Sequence, residues 1–348
     1  MMKGKKIMVF RFSAMGDVAM AVPVLKALVE QNKVQVSMVS RAFFAPFFQS
    51  LPNIEFISVD LKNEYKGLGG LISLYRKLKK IKPDAVADLH DVLRTKVLRC
   101  FFQASGTKVK KIDKGRKEKK ALTREKNKIF IPLQSTQERY ADVFRKLGFH
   151  LDLSKVEALP KPKESSQVSL FFQTFEGQKT IGIAPFAAHK GKQYPFEKIK
   201  EVIKILLESD TEINIILFGG GEEEKRKLAE LEKINRNRVV NIAGLFSLEE
   251  ELQILSRLDV LLSMDSGNAH MAAMYAVPIV NIWGATHPYA GFAPFNQKKE
   301  NQILPDLEKY PQLPTSVYGN KIFPGFEKIW EDITPESVVK KLQDELSR

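Results

Sequence analysis

The stretch Val260–Ala273, VLLSMDSGNAHMAA, decides the fold. Its opening run, Val260 to Leu262, is apolar and short enough for a buried strand. The run breaks at Asp265-Ser266-Gly267, and a helix of small residues follows with His270 in its first turn. Strand, tight turn and helix make the βα unit of a parallel sheet. Gly267 lets the backbone come close to a ligand, and the free N–H groups of a helix start attract anions. Asp265 can accept from a hydroxyl, while Ser266 and His270 can donate to phosphate oxygens. Taken alone, the turn reads more simply as an Asp/Ser N-cap beside a partly buried histidine. Its place late in an alternating chain, after a glycine-rich turn and a lysine loop, turns the reading toward a phosphate site.

Outward from this stretch the same alternation fills the chain. In the first half, 7–10, 34–39, 54–59, 85–89 and 108–112 read as strands. Helices are expected at 18–30, 42–51, 68–81, 92–104 and 135–147, the last stopped by Gly148. Residues 152–180, with Pro160, Pro162, Ser165 and Ser166, read mostly as a connection. A second series follows, with strands at 180–184, 213–218, 239–242, 260–263 and 279–282. Its helices fall at 196–208, 222–234, 248–257 and 268–275. After Pro288 the chain is irregular until a last helix at 335–347. The expected fold is α/β: two Rossmann-like domains, each a doubly wound parallel sheet, facing across a cleft. Their bounds are read as 1–160 and 175–330, with the helix at 335–348 free to pack back on the first domain.

The length of 348 residues exceeds a usual single core and agrees with two domains. No apolar run approaches the roughly 20 residues that span a bilayer, and the start, Met1-Met-Lys-Gly-Lys-Lys-Ile7, passes straight into a strand without a signal-peptide pattern. Cys100 is the only cysteine, which excludes an intrachain disulfide and argues against a cysteine-ligated metal. The five histidines show no metal-ligand spacing. A cytoplasmic protein is expected. The net charge of +14 is concentrated: Ser105–Lys128 holds eleven Lys/Arg against three acids. Such a run suits an anionic partner, although a solvated loop is the commoner meaning of a charge run.

Three motifs lie at strand ends, where doubly wound sheets bind ligands. The first is Arg11-Phe-Ser-Ala-Met-Gly-Asp17, with too few glycines for a dinucleotide fingerprint. Asp17 suits the positive end of a helix dipole, and equally suits a base that takes a proton from a hydroxyl. Arg11 and Ser13 can bind anionic groups beside it. In the second, Pro185-Phe-Ala-Ala-His-Lys-Gly-Lys-Gln-Tyr-Pro195, Lys190 or Lys192 can neutralise a diphosphate. The third is Phe218-Gly-Gly-Gly-Glu-Glu-Glu224, a close-approach turn with carboxylates suited to ribose hydroxyls.

Together, in this order and spacing, the motifs resemble glycosyltransferase family 9, the lipopolysaccharide heptosyltransferases. The resemblance is sharpest in R-x-S-x-x-G-D (Arg11, Ser13, Gly16, Asp17) and D-[ST]-G-x-x-H-x-A-A (Asp265, Ser266, Gly267, His270, Ala272, Ala273). Lys192 before Tyr194-Pro195 is similar to the family's K-x-W-P, and Trp283-Gly-Ala-Thr286-His-Pro288 resembles its glycine-threonine-proline segment. The family's Pro-Gly-Ala-Ser/Thr loop stands here as Pro185-Phe-Ala-Ala188, without the hydroxyl. The resemblance implies a GT-B fold, an ADP-heptose donor held by the C-terminal domain, inversion at the anomeric carbon and no essential metal or other cofactor. Asp17 becomes the general base, Lys192 a diphosphate ligand, and Asp265, Ser266, Gly267 and His270 the lining of the donor site. One of Glu222, Glu223 and Glu224 binds ribose, with Glu224 preferred. The basic Lys108, Lys110 and Lys111, and His90 and Arg94 of Asp88-Leu-His-Asp-Val-Leu-Arg94, join Arg11 and Ser13 as acceptor residues.

The leading expectation is therefore an inverting transferase of an ADP-sugar onto an anionic, lipopolysaccharide-type glycolipid at the inner face of the cytoplasmic membrane. The alternatives are another nucleotide-sugar donor on the same fold, and a non-catalytic anion or nucleic-acid binder. The nucleic-acid reading lacks aromatics interleaved with the basic run and any recognised binding motif. Phe43, Phe44, Phe47 and Phe48, and Leu93, Val97, Leu98 and Phe101, read as core faces of helices.

Overall fold

The computed structural model describes residues 4–175 and 177–347. By its contacts the chain forms two compact units. The first runs up to Lys114 and resumes over Gln134–Leu159; the second holds Gly115–Leu133 and the chain from Pro160 on.

The first unit begins with β1 (Lys5–Phe10), α1 (Met15–Ala19), α2 (Ala21–Gln31), β2 (Val34–Ser40) and β3 (Ile54–Ser58). It continues through α3 (Gly67–Lys79), β4 (Ala85–Asp88), α4 (Leu93–Ala104) and β5 (Lys108–Lys111). The chain then leaves for α5 (Arg116–Thr123) in the second unit and returns as α6 (Thr136–Leu147). All strands are parallel, in the order β3-β2-β1-β4-β5. The order reverses direction beside β1, which places the switch point of the sheet between β1 and β4. Their register sets Phe10 against Asp88, so the residues leaving both strands emerge together. The buried runs 7–10 of β1 and 85–87 of β4 show why these strands are central, since a parallel strand covered on both faces is apolar over most of its length. α6 is bounded as its sequence suggests: Ser135 accepts from the Glu138 N–H at 3.1 Å, and Gly148 ends it at φ 98°.

The second unit contains α7 (Ser166–Gln173), β6 (Lys179–Ala184), α8 (Phe196–Ser209), β7 (Ile213–Leu217), α9 (Glu222–Glu232) and β8 (Val239–Asn241). Then come α10 (Leu248–Leu255), β9 (Val260–Met264), α11 (Gly267–Ala273), β10 (Ile279–Ile282), β11 (Gln302–Ile303) and α12 (Pro335–Leu346). Its parallel sheet has the order β11-β10-β9-β6-β7-β8, with the switch between β6 and β9. Every residue of β7 and β9 is buried. α12 starts at Pro335 behind a Thr334 cap and buries Val338, Val339 and Leu342 against α8, within the second unit rather than on the first.

Several local expectations change. The helix expected at 18–30 breaks at Met20 into α1 and α2. The 42–51 segment is a short 3-10 turn around Pro46; Phe44, Phe47 and Phe48 are buried, but Phe43 is 58% exposed. On α4, Leu98 is buried whereas Leu93 is 78% exposed, because it starts the helix ahead of the turns that pack. The basic segment is not a plain loop but contains α5, and the expected connection at 152–180 contains α7. Residues 115–133, included in the expected domain 1–160, cluster with the second unit. Lys119 sits over the Phe292 ring at 4.1 Å, Leu133 N–H donates to Tyr289 at 2.9 Å, and Lys128 is anchored on residues 311–314.

Candidate functional site

In the first unit the chain leaves β1 at the switch point through Arg11 to Asp17. Arg11 is buried, and its guanidinium divides between two partners. Nη1 donates to the Leu89 carbonyl at 2.8 Å, and Nη2 meets Oδ2 of Asp17 at 2.5 Å. The Tyr140 ring lies 5.7 Å from the guanidinium carbon, and its hydroxyl donates to the Asp17 carbonyl at 3.3 Å. The Ala14 N–H also donates to Asp17 Oδ2, at 3.3 Å. One carboxylate oxygen is thus held from two sides. The other, Oδ1, has no hydrogen-bond partner among the described residues, and the side chain is 30% exposed. A carboxylate fixed through one oxygen and open at the other is oriented to receive a proton from a hydroxyl.

The loop after β4 is built on Asp88, which is fully buried. It accepts from the His90 N–H at 2.9 Å and the Asp91 N–H at 2.8 Å, and pairs with Arg99 at 2.9 Å. Asp91 takes a left-handed conformation, φ 46°, and closes the turn with Arg99 at 3.1 Å. His90 is presented beside β1, where its Nδ1 accepts the Phe12 N–H at 3.4 Å. Burial, then the charges of Arg11 and Lys114, push its pKa down to about 3. His90 is therefore a neutral imidazole, and with Nδ1 accepting, its proton sits on Nε2 as a donor.

The acceptor residues expected from sequence separate. Arg11, Asp17 and His90 come together, with Ser13 half-buried in the same turn. Arg11 is committed to Asp17 and Leu89, which makes it an orienting group. All four basic residues are exposed; Lys108 donates to the Leu147 carbonyl at 2.9 Å and Lys111 lies 3.5 Å from Asp91, whereas Lys110 and Arg94 make no hydrogen bond or ion pair among the described residues. Arg41, whose Nε donates to the Phe12 carbonyl at 2.9 Å, and Tyr140 escaped the sequence reading. Neither sits in a motif; only the fold brings them to β1.

In the second unit the loops after β6 and β9 meet at the other switch point. Lys192 Nζ lies 2.8 Å from Oδ2 of Asp265, and the Thr286 hydroxyl donates to the same oxygen at 2.9 Å. Both Asp265 and Thr286 are buried. The backbone permits this because Gly191 packs where a side chain cannot: a Cβ there would sit 2.5 Å from the Gly319 carbonyl oxygen. The Gly191 carbonyl accepts the Ala285 N–H at 2.6 Å, which ties the lysine loop to the Thr286 segment. Ser266 is the N-cap residue of α11, yet its side chain caps nothing; its Oγ instead lies 3.1 Å from Ser263 Oγ. With Asp265 turned to Lys192, the N–H groups opening α11 have no side-chain cap and suit an anion. His270 is buried on this helix.

Glu224 turns back on the glycine turn and accepts the Gly220 N–H at 2.8 Å, while Glu222 and Glu223 pair with Lys225 and Lys227 on the exposed side of α9. Phe186, in the position of a family glycine, packs at 6.4 Å on Phe196, so its side chain belongs to the core. Next to Thr286, His287 is buried and ringed by Phe130 and Tyr289. Burial, then Lys128, pushes its pKa down to about 4. Thr286 and His287 stood in a motif that sequence reasoning noticed without giving either a role. Among the described residues no group of three or more His, Cys, Asp or Glu could hold a metal ion, and no helix is long and apolar enough to cross a membrane.

The chain is similar to known proteins along most of its length. The lipopolysaccharide core heptosyltransferase OpsX of Haemophilus influenzae is 27% identical over 306 residues, covering 84% of this chain and 82% of that protein. Among solved structures, a family 9 glycosyltransferase from Veillonella parvula superposes with a TM-score of 0.74 at 20% identity, covering 99% of this chain and 97% of that one. The ADP-heptose heptosyltransferase II of E. coli gives 0.70 at 17% identity, covering 99% and 98%. These likenesses establish the shared GT-B architecture of two parallel-sheet units. The pattern of glycosyltransferase family 9 (heptosyltransferase) itself matches residues 71–321, and the chain belongs to that family.

Proposed function

We propose that the protein is an inverting glycosyltransferase that moves a heptose from ADP-heptose to a hydroxyl of an anionic, lipopolysaccharide-type glycolipid. The observation that carries the reading is the pair of switch-point constellations. Asp17 has one carboxylate oxygen fixed by Arg11 and one open, and Lys192 stands with Asp265 at the uncapped start of α11. The names of relatives supply the donor and glycan class: lipopolysaccharide core heptosyltransferase and ADP-heptose heptosyltransferase.

In this mechanism the first unit takes the acceptor and the second the donor. The acceptor oxygen attacks the anomeric carbon opposite the departing diphosphate, which inverts that centre. Its proton passes to Oδ1 of Asp17, while Arg11 keeps Oδ2 in place. The bond between the anomeric carbon and the diphosphate oxygen breaks, and the charge left on ADP is met by Lys192 and the opening N–H groups of α11. Asp265 holds Lys192 ready before the donor arrives. Glu224, Ser266 and His270 complete the donor contacts, and His90, through Nε2, donates to the acceptor. The leaving group is stabilised by these protein charges, so the reading asks for no metal or other cofactor. The work is placed at the inner face of the cytoplasmic membrane.

The test is product mass spectrometry on a defined lipopolysaccharide-core acceptor with a panel of ADP- and UDP-sugars. Addition of one heptose from ADP-heptose alone is expected. Transfer from a different donor would replace the donor assignment, and no transfer from any would remove the reading.

A further inference from the structure

We infer that residues 116–132 form a docking surface for an anionic lipid bilayer, with the apolar residues Ile129, Phe130 and Ile131 as its inserting edge. This deepens the proposed function and rests on it for the glycolipid acceptor, but the surface is defined by its own chemistry.

The chain makes two kinds of surface here and joins them. On α5 the side turned to the protein carries Leu122, which is buried, and Lys119, which covers Phe292. The opposite side leaves Arg116, Lys117 and Lys120 exposed, and Arg124 and Lys126 follow in the turn, also exposed. The extended stretch that comes next returns along the helix: the Ile129 N–H donates to the Ala121 carbonyl at 3.0 Å. That bond sets the exposed apolar stretch beside the basic helix. Ile129 is 48% exposed, Phe130 38% and Ile131 55%.

These apolar residues are not held out by a loose loop. On one side Lys128 lays its ammonium among four carbonyls, of Pro311, Gln312, Leu313 and Pro314, at 2.7–3.3 Å. Burial lowers its pKa, so this cation gives up water to serve as an anchor. On the other side the Leu133 N–H donates to the Tyr289 carbonyl at 2.9 Å, and Phe130 rests one ring edge on His287. Both ends of the stretch are thus fastened, and Ile129 and Ile131 are displayed between them. Three successive exposed apolar residues are a liability in water unless something covers them.

The chemistry selects the partner. The Phe130 ring already packs against His287 and Tyr289, and aliphatic Ile129 and Ile131 offer nothing for a nucleic-acid base to stack on, whereas a lipid interface takes in apolar side chains and attracts flanking lysines and arginines at once. The combination of exposed cations with an apolar edge matches a bilayer bearing anionic headgroups.

The experiment is flotation of the purified full-length protein with vesicles of phosphatidylcholine alone or with about a third phosphatidylglycerol, an anionic composition of the kind this attraction requires. The wild-type protein should float with the anionic vesicles and not the neutral ones, and release as salt rises. Ile129→Ser/Ile131→Ser, which leaves Phe130 and its ring contacts in place, should float at least tenfold less. Lys117→Gln/Lys120→Gln/Arg124→Gln/Lys126→Gln should lose on the order of a hundredfold or more in vesicle affinity, each cation contributing severalfold. Transfer to a lipid-free acceptor should be unchanged in the Ile129→Ser/Ile131→Ser variant, which separates docking from chemistry and shows that it folds. Equal flotation of wild type and both variants would overturn the inference. So would retention on a nucleic acid or a protein partner, lost in these variants, by a wild type that ignores anionic vesicles.

Discussion

Asp17 and Lys192 are each defined by the group that holds them. Arg11 occupies one oxygen of Asp17, and Asp265, steadied by Thr286, occupies Lys192. On the proposed donor site, Lys192→Ala would remove a charge-assisted contact to diphosphate, worth about 1.5–3 kcal/mol, and should weaken ADP binding roughly ten- to hundredfold by calorimetry. Thr286→Val deletes the buried donor without changing shape and should weaken ADP binding more mildly, with the fold intact; unchanged affinity in both variants would move the diphosphate elsewhere. His90 and His287 make acid destabilising, while Glu251, whose burial raises its pKa from 4.5 to about 7, acts in the opposite direction. The pKa values of the two histidines fall from 6.5 to about 3 and about 4, so at these groups the unfolded chain takes up protons first as pH drops. Their contribution is complete above pH 6.5 and declines toward pH 3, on the order of 2–4 kcal/mol for His90. Between pH 6.5 and 4.5 the wild type should lose melting temperature relative to His90→Gln, whose curve lacks the histidine's share; an identical pH dependence in the two would show that His90 is not buried neutral. At this scale the sequence named Asp17, Lys192, Asp265 and His270, because each sits in a short motif. It could not name Tyr140 or Arg41, which reach the site only through the packing of α6 and the register of β1 with its neighbours, nor show that Arg11 would turn to Asp17.

Among the elements, α7 was read as part of a connection and the sequence also hid α5. α5 buries a single apolar residue, Leu122, so its helical period is submerged in charge, and the run reads as a loop. α1 and α2 were read as one helix, although Pro23, which has no N–H to offer the Ala19 carbonyl four residues back, marks the break at Met20. The buried strands, in contrast, were legible to within a residue or two because parallel strands covered on both faces read as nearly continuous apolar runs. The return of α5 along 129–133 depends on Lys128. Lys128→Gln loses most of four carbonyl contacts, and cleavage by trypsin within residues 116–126 should accelerate severalfold under native conditions as local opening becomes easier. Cleavage at the wild-type rate would mean that the segment is fastened by other contacts.

Across the whole molecule, each of the two sheets reverses its strand order once, beside β1 in one and beside β6 in the other. The three motifs that stood out in the sequence leave strands at or next to those reversals, which is why α/β alternation and motif position sufficed to find both constellations. The division of the basic run was not legible: Lys108–Lys111 form an edge strand of the first unit, while Arg116–Lys128 pack on the second. Tertiary contacts alone make that split. Of the cations expected from sequence to meet the acceptor, Lys110 and Arg94 are exposed and make no hydrogen bond or ion pair among the described residues. Replacing both by Gln should raise the acceptor KM at low salt and lose its effect at high salt, where exposed charges are screened. The central claim is that Asp17 performs the chemistry while the second unit holds the donor, and Asp17→Asn tests it most directly. The amide keeps the size of the side chain, and removal of a general base typically costs about 10²–10⁴-fold in rate. Heptose transfer from ADP-heptose, measured alongside ADP affinity on the same folded variant, should fall at least about a hundredfold with ADP affinity near normal. Transfer at the wild-type rate would show that Asp17 only begins a helix and that the base is another residue.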